Sequence, residues 1–161
     1  MDAKNMIRQS IDMADMAIGK YLDGLDDAGF LVRPIEGMNP IAWQLGHLIV
    51  SERGMNEAIK PGSCPPLPEG FEAKHPRQPL ESGDYLSKSE YLAVWKEQRD
   101  ATRALLESLT DADLEAPAPE SIRGFCPTVA HALNMMAGIH PMMHAGQFVA
   151  VRRQLDMPNA I

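Results

Sequence analysis

Cysteine is scarce in this chain, long apolar runs are missing, and basic clusters are absent. Each lack removes a class of protein. The 161 residues hold two cysteines, Cys64 and Cys126, far apart in sequence. A small secreted fold stapled by disulfides carries more. Residues 1–16 lack the unbroken apolar stretch of a secretory signal. The expectation is therefore a cytoplasmic protein with two reduced thiols, although the sequence alone leaves a single disulfide open. Nowhere do about 18 apolar residues follow one another, as a membrane-spanning helix requires, so no membrane partner is expected. Lys and Arg number 15 against 22 Asp and Glu, a net charge of −7, and they do not cluster. Nucleic-acid binders carry a basic patch, so no nucleic-acid partner is expected either. Repeats of 20–50 residues are absent, and strand signals are nearly so. What remains is an ordinary soluble balance of 45% hydrophobic and 23% charged residues. At this length it suits one domain over residues 1–161.

Four stretches carry helical periodicity. In residues 2–25, Ile7, Ile11, Ala14, Ile18, Tyr21 and Leu25 recur at three- and four-residue steps and share one face. Gly29, Pro34 and Gly37 mark a connection. Asn39 suits a helix N-cap and Pro40 the first helical position. The helix that follows runs to about Ile59, with Trp43, His47 and Val50 along one stripe and Ile41, Leu45, Leu48 and Ile49 widening the buried side. Pro61-Gly62 stops it. Residues 61–87 hold Pro61, Pro65, Pro66, Pro68, Pro76 and Pro79 with Gly62, Gly70 and Gly83. So long a connection suits a crossover between two parallel neighbours, or a plain packed connector.

A third helix opens on Ser87 and Glu90, a capping box, with Leu86 and Tyr91 as its hydrophobic staple. Tyr91, Trp95, Gln98, Thr102, Leu105 and Leu109 fall on one face. Thr110 and Asp113 form a second cap before Pro117 and Pro119. The last helix is expected from Pro127 or Thr128 to about Leu155, with Val129, Leu133, Met136, His140, His144, Gln147 and Val151 on one stripe. Pro141 interrupts its hydrogen-bond ladder, which predicts a kink or widened turn. The reading is an all-α four-helix bundle with one long crossover.

His140 and His144 carry the chemistry. Four residues apart on a helix, they project from one face about 6 Å apart along the axis. Both imidazoles can then reach one cation, and imidazole suits zinc, nickel, iron and copper. His47 is the natural third ligand, from another helix, and Gly46 beside it would admit a neighbouring helix closely. The competing reading is three histidines at the edge of the core that only hydrogen-bond. Gln44 and Gln147 lie one turn from His47 and His144, where they would either orient a ligand ring or stand in solvent. Met135, Met136, Met142 and Met143 surround the histidines and either line a pliable pocket or fill core. His131 lies off the stripe and suits a surface or capping role. Cys126 precedes the last helix, where a dipole can lower a thiol pKa, but a small buried apolar residue is the better reading. Glu72 and His75 have the Glu-x-x-His spacing of di-iron bundles, yet the motif occurs once and in the Pro-rich connection, so a di-iron site is rejected. His-Glu-x-x-His, a Gly-rich phosphate loop, Cys-x-x-Cys and Gly-x-Ser-x-Gly do not occur.

Two segments carry a resemblance. Residues 39–48, with Asn39, Pro40, Trp43, Gln44, Gly46 and His47, resemble the second-helix signature of the DinB/YfiT-like superfamily. Residues 140–147, with His140, His144 and Gln147, resemble that family's last-helix signature. The two occur in the family's order, and the resemblance covers nearly the whole chain. It implies an up-down-down-up bundle, often homodimeric, in which His47, His140 and His144 hold a divalent metal, zinc or nickel being the expected ion. Pro141, between the last two histidines, is less usual for a helix interior. Some relatives are transferases and isomerases that use a low-molecular-weight thiol cosubstrate, others are described only as metal-dependent hydrolases, and some lack the ligands.

Three functions are weighed on this basis. The leading one is an enzyme whose metal holds a thiolate that attacks a small electrophilic substrate. The second is a metal-dependent hydrolase, ranked lower because no carboxylate base is placed near the histidines. The third is a non-catalytic stress-response or ligand-binding bundle.

Overall fold

In the computed structural model, which describes residues 2–76 and 84–161, four long helical rods account for most of the chain. Among the described residues there is no strand, and one isolated bridge pairs Pro117 with Thr128. Pro79 and Gly83 of the expected connection lie outside the described residues.

Helix α1, Ala3–Leu22, is capped by the Asp2 carboxylate, which accepts from the Asn5 N–H at 2.7 Å. It stops three residues before the expected Leu25, because Gly24 takes a left-handed φ of +74° and turns the chain. Leu25 is buried all the same. One helical turn that periodicity does not reveal follows, α2 at Asp27–Phe30, and it delivers Phe30 to the core.

Helix α3 is Ile41–Ile59. Its start corrects the expected cap by one residue. Pro40, at ψ 158°, occupies the cap position with no side-chain cap bond, and Asn39 instead gives its carbonyl to Gln44 Nε2 at 2.8 Å. The connection then forms a short turn, α4 at Phe71–Lys74.

Helix α5, Lys88–Ser108, opens on the expected capping box, with Ser87 and Glu90 each bonding the other's backbone. All six residues read as its inner face are buried. Thr110 and Asp113 form the second box on α6, Asp111–Glu115, and α7 is a single turn at Glu120–Arg123.

The last rod is continuous but not uniform. Thr128 caps α8, Val129–Leu133. A π-helical segment, Asn134–Ile139, follows, and then α9, His140–Gln154. Backbone angles at both junctions stay helical. The widened turn expected at Pro141 is present and lies just before it. The His140 N–H reaches five residues back to the Met135 carbonyl. Pro141 has no N–H to give, and its ring would press on the carbonyl four residues back, so the turn beneath it opens.

Paired side chains give the directions of the rods. Glu52 with Arg99, Asn56 with Thr102 and Lys60 with Ser108 advance together, so α3 and α5 run parallel and need a crossover. Lys4 with Leu109, Arg8 with Glu107 and Asp12 with Arg103 advance in opposition, so α1 and α5 are antiparallel. Gln44 meets His144 while His47 meets His140, which sets α9 antiparallel to α3. The largest core cluster, with Ile18, Phe30, Leu45, Leu48, Phe71, Tyr91 and Phe148, packs α1, α3, α5 and α9 together. By contrast Met142 and Met143 are exposed, so neither fills core. Of these four methionines, Met135 and Met136 pack on the small cluster of Met55, Ala118, Cys126 and Ala132.

Candidate metal centre

The α3 stripe and the α9 stripe face each other, and this brings the three histidines together. One ligand nitrogen from each of His47, His140 and His144 lies within 4.8 Å of the other two. Ring centroids are 5.2 Å apart for His47 and His140, 5.5 Å for His47 and His144, and 4.9 Å for His140 and His144. All three are half-buried. Among the described residues no carboxylate or thiol joins the group.

Neighbours fix the orientation of the rings. Gln44 is fully buried. Its Nε2 donates to the Asn39 carbonyl, so its Oε1 is the end that faces His144 Nδ1, at 2.8 Å. A carbonyl oxygen only accepts, so Nδ1 carries the hydrogen of His144 and Nε2 keeps the lone pair. That Nε2 lies 3.2 Å from His140 Nε2. Two ligands of one tetrahedral zinc, each about 2.0–2.1 Å from it, sit about 3.3 Å apart. The pair is therefore spaced as two ligands of one small cation would be. His140 Nδ1 is buried and has no partner among the described residues. His47 stacks on Trp43, with centroids 4.9 Å apart and planes 6° from parallel, which holds its ring on the α9 side.

Electrostatics favours lone pairs over protons here. Burial, and then the charge of His47, push the His140 pKa down to about 4. Burial, followed by the charges of His140 and His47, does the same to His144, also to about 4. At neutral pH both rings are neutral imidazoles, the form that ligates.

A sequence model of the DinB superfamily matches residues 11–148. The chain belongs to the DinB superfamily. No curated protein and no solved structure matches it significantly.

In this DinB chain the other candidates sort as follows. Gln44 is the partner that orients His144, whereas Gln147 is exposed and stands in solvent. His131 is exposed and exchanges contacts with Thr128 at the α8 cap, its Nδ1 2.7 Å from the hydroxyl. Cys126 is buried, and burial raises its thiol pKa, so it packs as an apolar residue. Both cysteines are free. Glu72 stands in solvent beside Arg53, 3.6 Å away, and takes no part in a site. Gly46, expected to admit a helix, instead admits the ring of His75. His75 and Trp43 are the neighbours that sequence reasoning did not assign. The Trp43 spacing, one turn before His47, was a usable signal. His75 had none beyond the rejected Glu-x-x-His spacing and its place in an unusually long connection.

Proposed function

We propose that this DinB-superfamily chain is a metal-dependent enzyme that uses a low-molecular-weight thiol as cosubstrate to transfer to, or isomerise, a small electrophilic molecule. The observation that carries the reading is the donor set. Three histidines converge from two helices, two of them held neutral by burial, and no fourth protein ligand stands beside them among the described residues. Closed structural zinc sites use four protein ligands, whereas catalytic sites keep a position open. His47, His140 and His144 would hold the ion, zinc or nickel. When bound, such an ion lowers the pKa of a coordinated thiol and so supplies a nucleophile at neutral pH.

The chain's own residues prepare that site. Gln44 holds His144 in the tautomer that presents Nε2. Trp43 fixes the plane of His47. Burial of the His140 and His144 rings keeps them free of protons. A water-based hydrolysis ranks lower, because among the described residues no carboxylate joins the three histidines to act as base.

Protein purified without a histidine tag, loaded with zinc or nickel, is expected to accelerate the displacement of halide from an activated aryl halide by a small thiol, forming the aryl thioether and releasing halide and a proton. The His144→Ala variant should lose that activity. A metal-loaded preparation with no thiol-dependent rate, whichever thiol is supplied, sinks the reading. We propose further that two copies associate. Helix α1 exposes Met6, Met13 and Met16, and the last rod exposes Ile139, Met142 and Met143, an unusual apolar endowment for open surface. Among the described residues no helix is long and apolar enough to cross a membrane, and the free thiols fit a cytoplasmic setting.

A further inference from the structure

His75 comes from the Pro-rich connection, yet it is 2% exposed. Its Nδ1 lies 2.7 Å from the Phe71 carbonyl and its Nε2 2.7 Å from the Tyr91 hydroxyl. The carbonyl can only accept, so Nδ1 donates to it, and the Tyr91 O–H donates to Nε2. Both ring nitrogens are satisfied, and the ring is pinned at both ends by residues that are themselves buried, Phe71 of α4 and Tyr91 of α5. Phe71 also packs against its face, with centroids 4.5 Å apart.

The flat side of this pinned ring rests on α3 at Gly46. A Cβ at residue 46 would lie 2.6 Å from His75 Cε1 and closer still to Cδ2 and Nε2. No real side chain tolerates such distances, and a ring held at two nitrogens cannot swing aside cheaply. The next residue along α3 is His47.

We infer that His75 is a positioning residue: seated on the bare backbone of Gly46 and held by Phe71 and Tyr91, its ring sets where α3 presents His47 to the metal. This rests on the metal reading above. The connection thus acts as a wedge, joining α4 and α5 to α3 beside a ligand. Adding a methyl group at position 46 must push α3 off the wedge or expel the ring, and either movement displaces His47. Removing the ring as well makes room for the methyl group and relieves the displacement.

Cobalt(II) is the probe, added to the full-length chain. Affinity is read by competition with a chelator, and ligand geometry by the visible d–d band. Binding lost in His144→Ala defines the site. The Gly46→Ala variant is expected to bind cobalt at least about tenfold more weakly, with a changed band. The double variant Gly46→Ala/His75→Ala should recover to the level of His75→Ala alone. A Gly46→Ala protein with parental affinity and band, or a double variant as weak as Gly46→Ala, overturns the inference. A merely structural role would lower the melting temperature of the metal-free protein and leave both cobalt readouts unmoved. Should Gly46→Ala not fold, Tyr91→Phe removes one hydroxyl only. It is expected to give a smaller loss of affinity, and parental affinity there overturns the inference as well.

If the parent takes up no cobalt that His144→Ala loses, the metal reading falls. The wedge is then judged in metal-free protein by histidine carbon NMR, with the His47 signal assigned by His47→Gln. That signal should move in Gly46→Ala and, in the double variant, fall where it lies in His75→Ala alone. A signal that stays in place overturns the inference independently of any metal.

Discussion

At the scale of single residues, the outcome turns on protons. His140 and His144 have pKa values near 4 in the fold, against an ordinary value of 6.5. Between those values the unfolded chain takes up protons that the folded chain refuses. The stability of the metal-free protein is therefore full above about pH 6.5 and falls as the pH drops toward about 4. Urea midpoints at neutral pH and at pH near 5 should show the loss, and His140→Gln should shrink it. Gln44 gives a second expectation. Gln44→Leu removes the acceptor that fixes the His144 tautomer. It should weaken zinc binding by about 10–100-fold in a chelator competition, while Gln44→Glu, which keeps an acceptor, should retain most of the affinity. The three histidines that the fold brings together were legible in the sequence because each lies at helical spacing within an apolar stripe. Gln44 was legible only as one of two alternatives with Gln147, since spacing puts both one turn from a histidine. Which of them is buried depends on where α3 meets α9.

At the scale of elements, local chemistry was the most readable. Both capping boxes form as their residues dictate, because a cap involves only four consecutive positions. The α3 start shifted by one residue because Pro40 keeps an extended ψ and Asn39 is drawn to Gln44 instead. The short turns α2 and α4 were unreadable, since four residues are too few to show a period. In the last rod Pro141 marked the irregularity, and the widened turn lies where the missing N–H acts, over Asn134–Ile139. Pro141→Ala restores the donor and lets an ordinary ladder close. The change should leave the metal-free melting temperature equal or higher and weaken metal affinity, because a closed ladder rotates His140 away from its present bearing. Unchanged affinity in a chelator competition would show that the π turn is incidental to the site.

At the scale of the whole molecule, a buried polar network holds three rods in register. Arg99 donates to Glu52 at 2.6 Å, to Asp15 at 2.8 Å and to the Ile11 carbonyl at 3.1 Å. The Thr102 hydroxyl donates to Glu52 and accepts from Asn56 Nδ2, the latter at 2.7 Å. Burial raises the Glu52 pKa in spite of Arg99, so this carboxylate depends on its partners. Arg99→Met leaves it buried without its counter-ion and should cost about 3–5 kcal/mol, read as a lowered urea midpoint. Periodicity placed Gln98 and Thr102 on the inner face of α5 but could not name their partners, because pairing across rods is a tertiary fact. The bundle class was legible for the opposite reason: four amphipathic stretches without strands leave little else to form.

The histidines that converge from α3 and α9 stand about as far apart in the chain as Gln44 and His144, which are 100 residues from each other. No fragment of the nascent polypeptide can offer all three imidazoles until the last rod has docked. An ion held there would thus be a late arrival, captured by finished protein, and once seated it would rivet the first half of the chain to its end. Its occupancy in cells would then serve as a gauge of how much of the population has completed folding, and its escape would be gated by the fraying of that final rod.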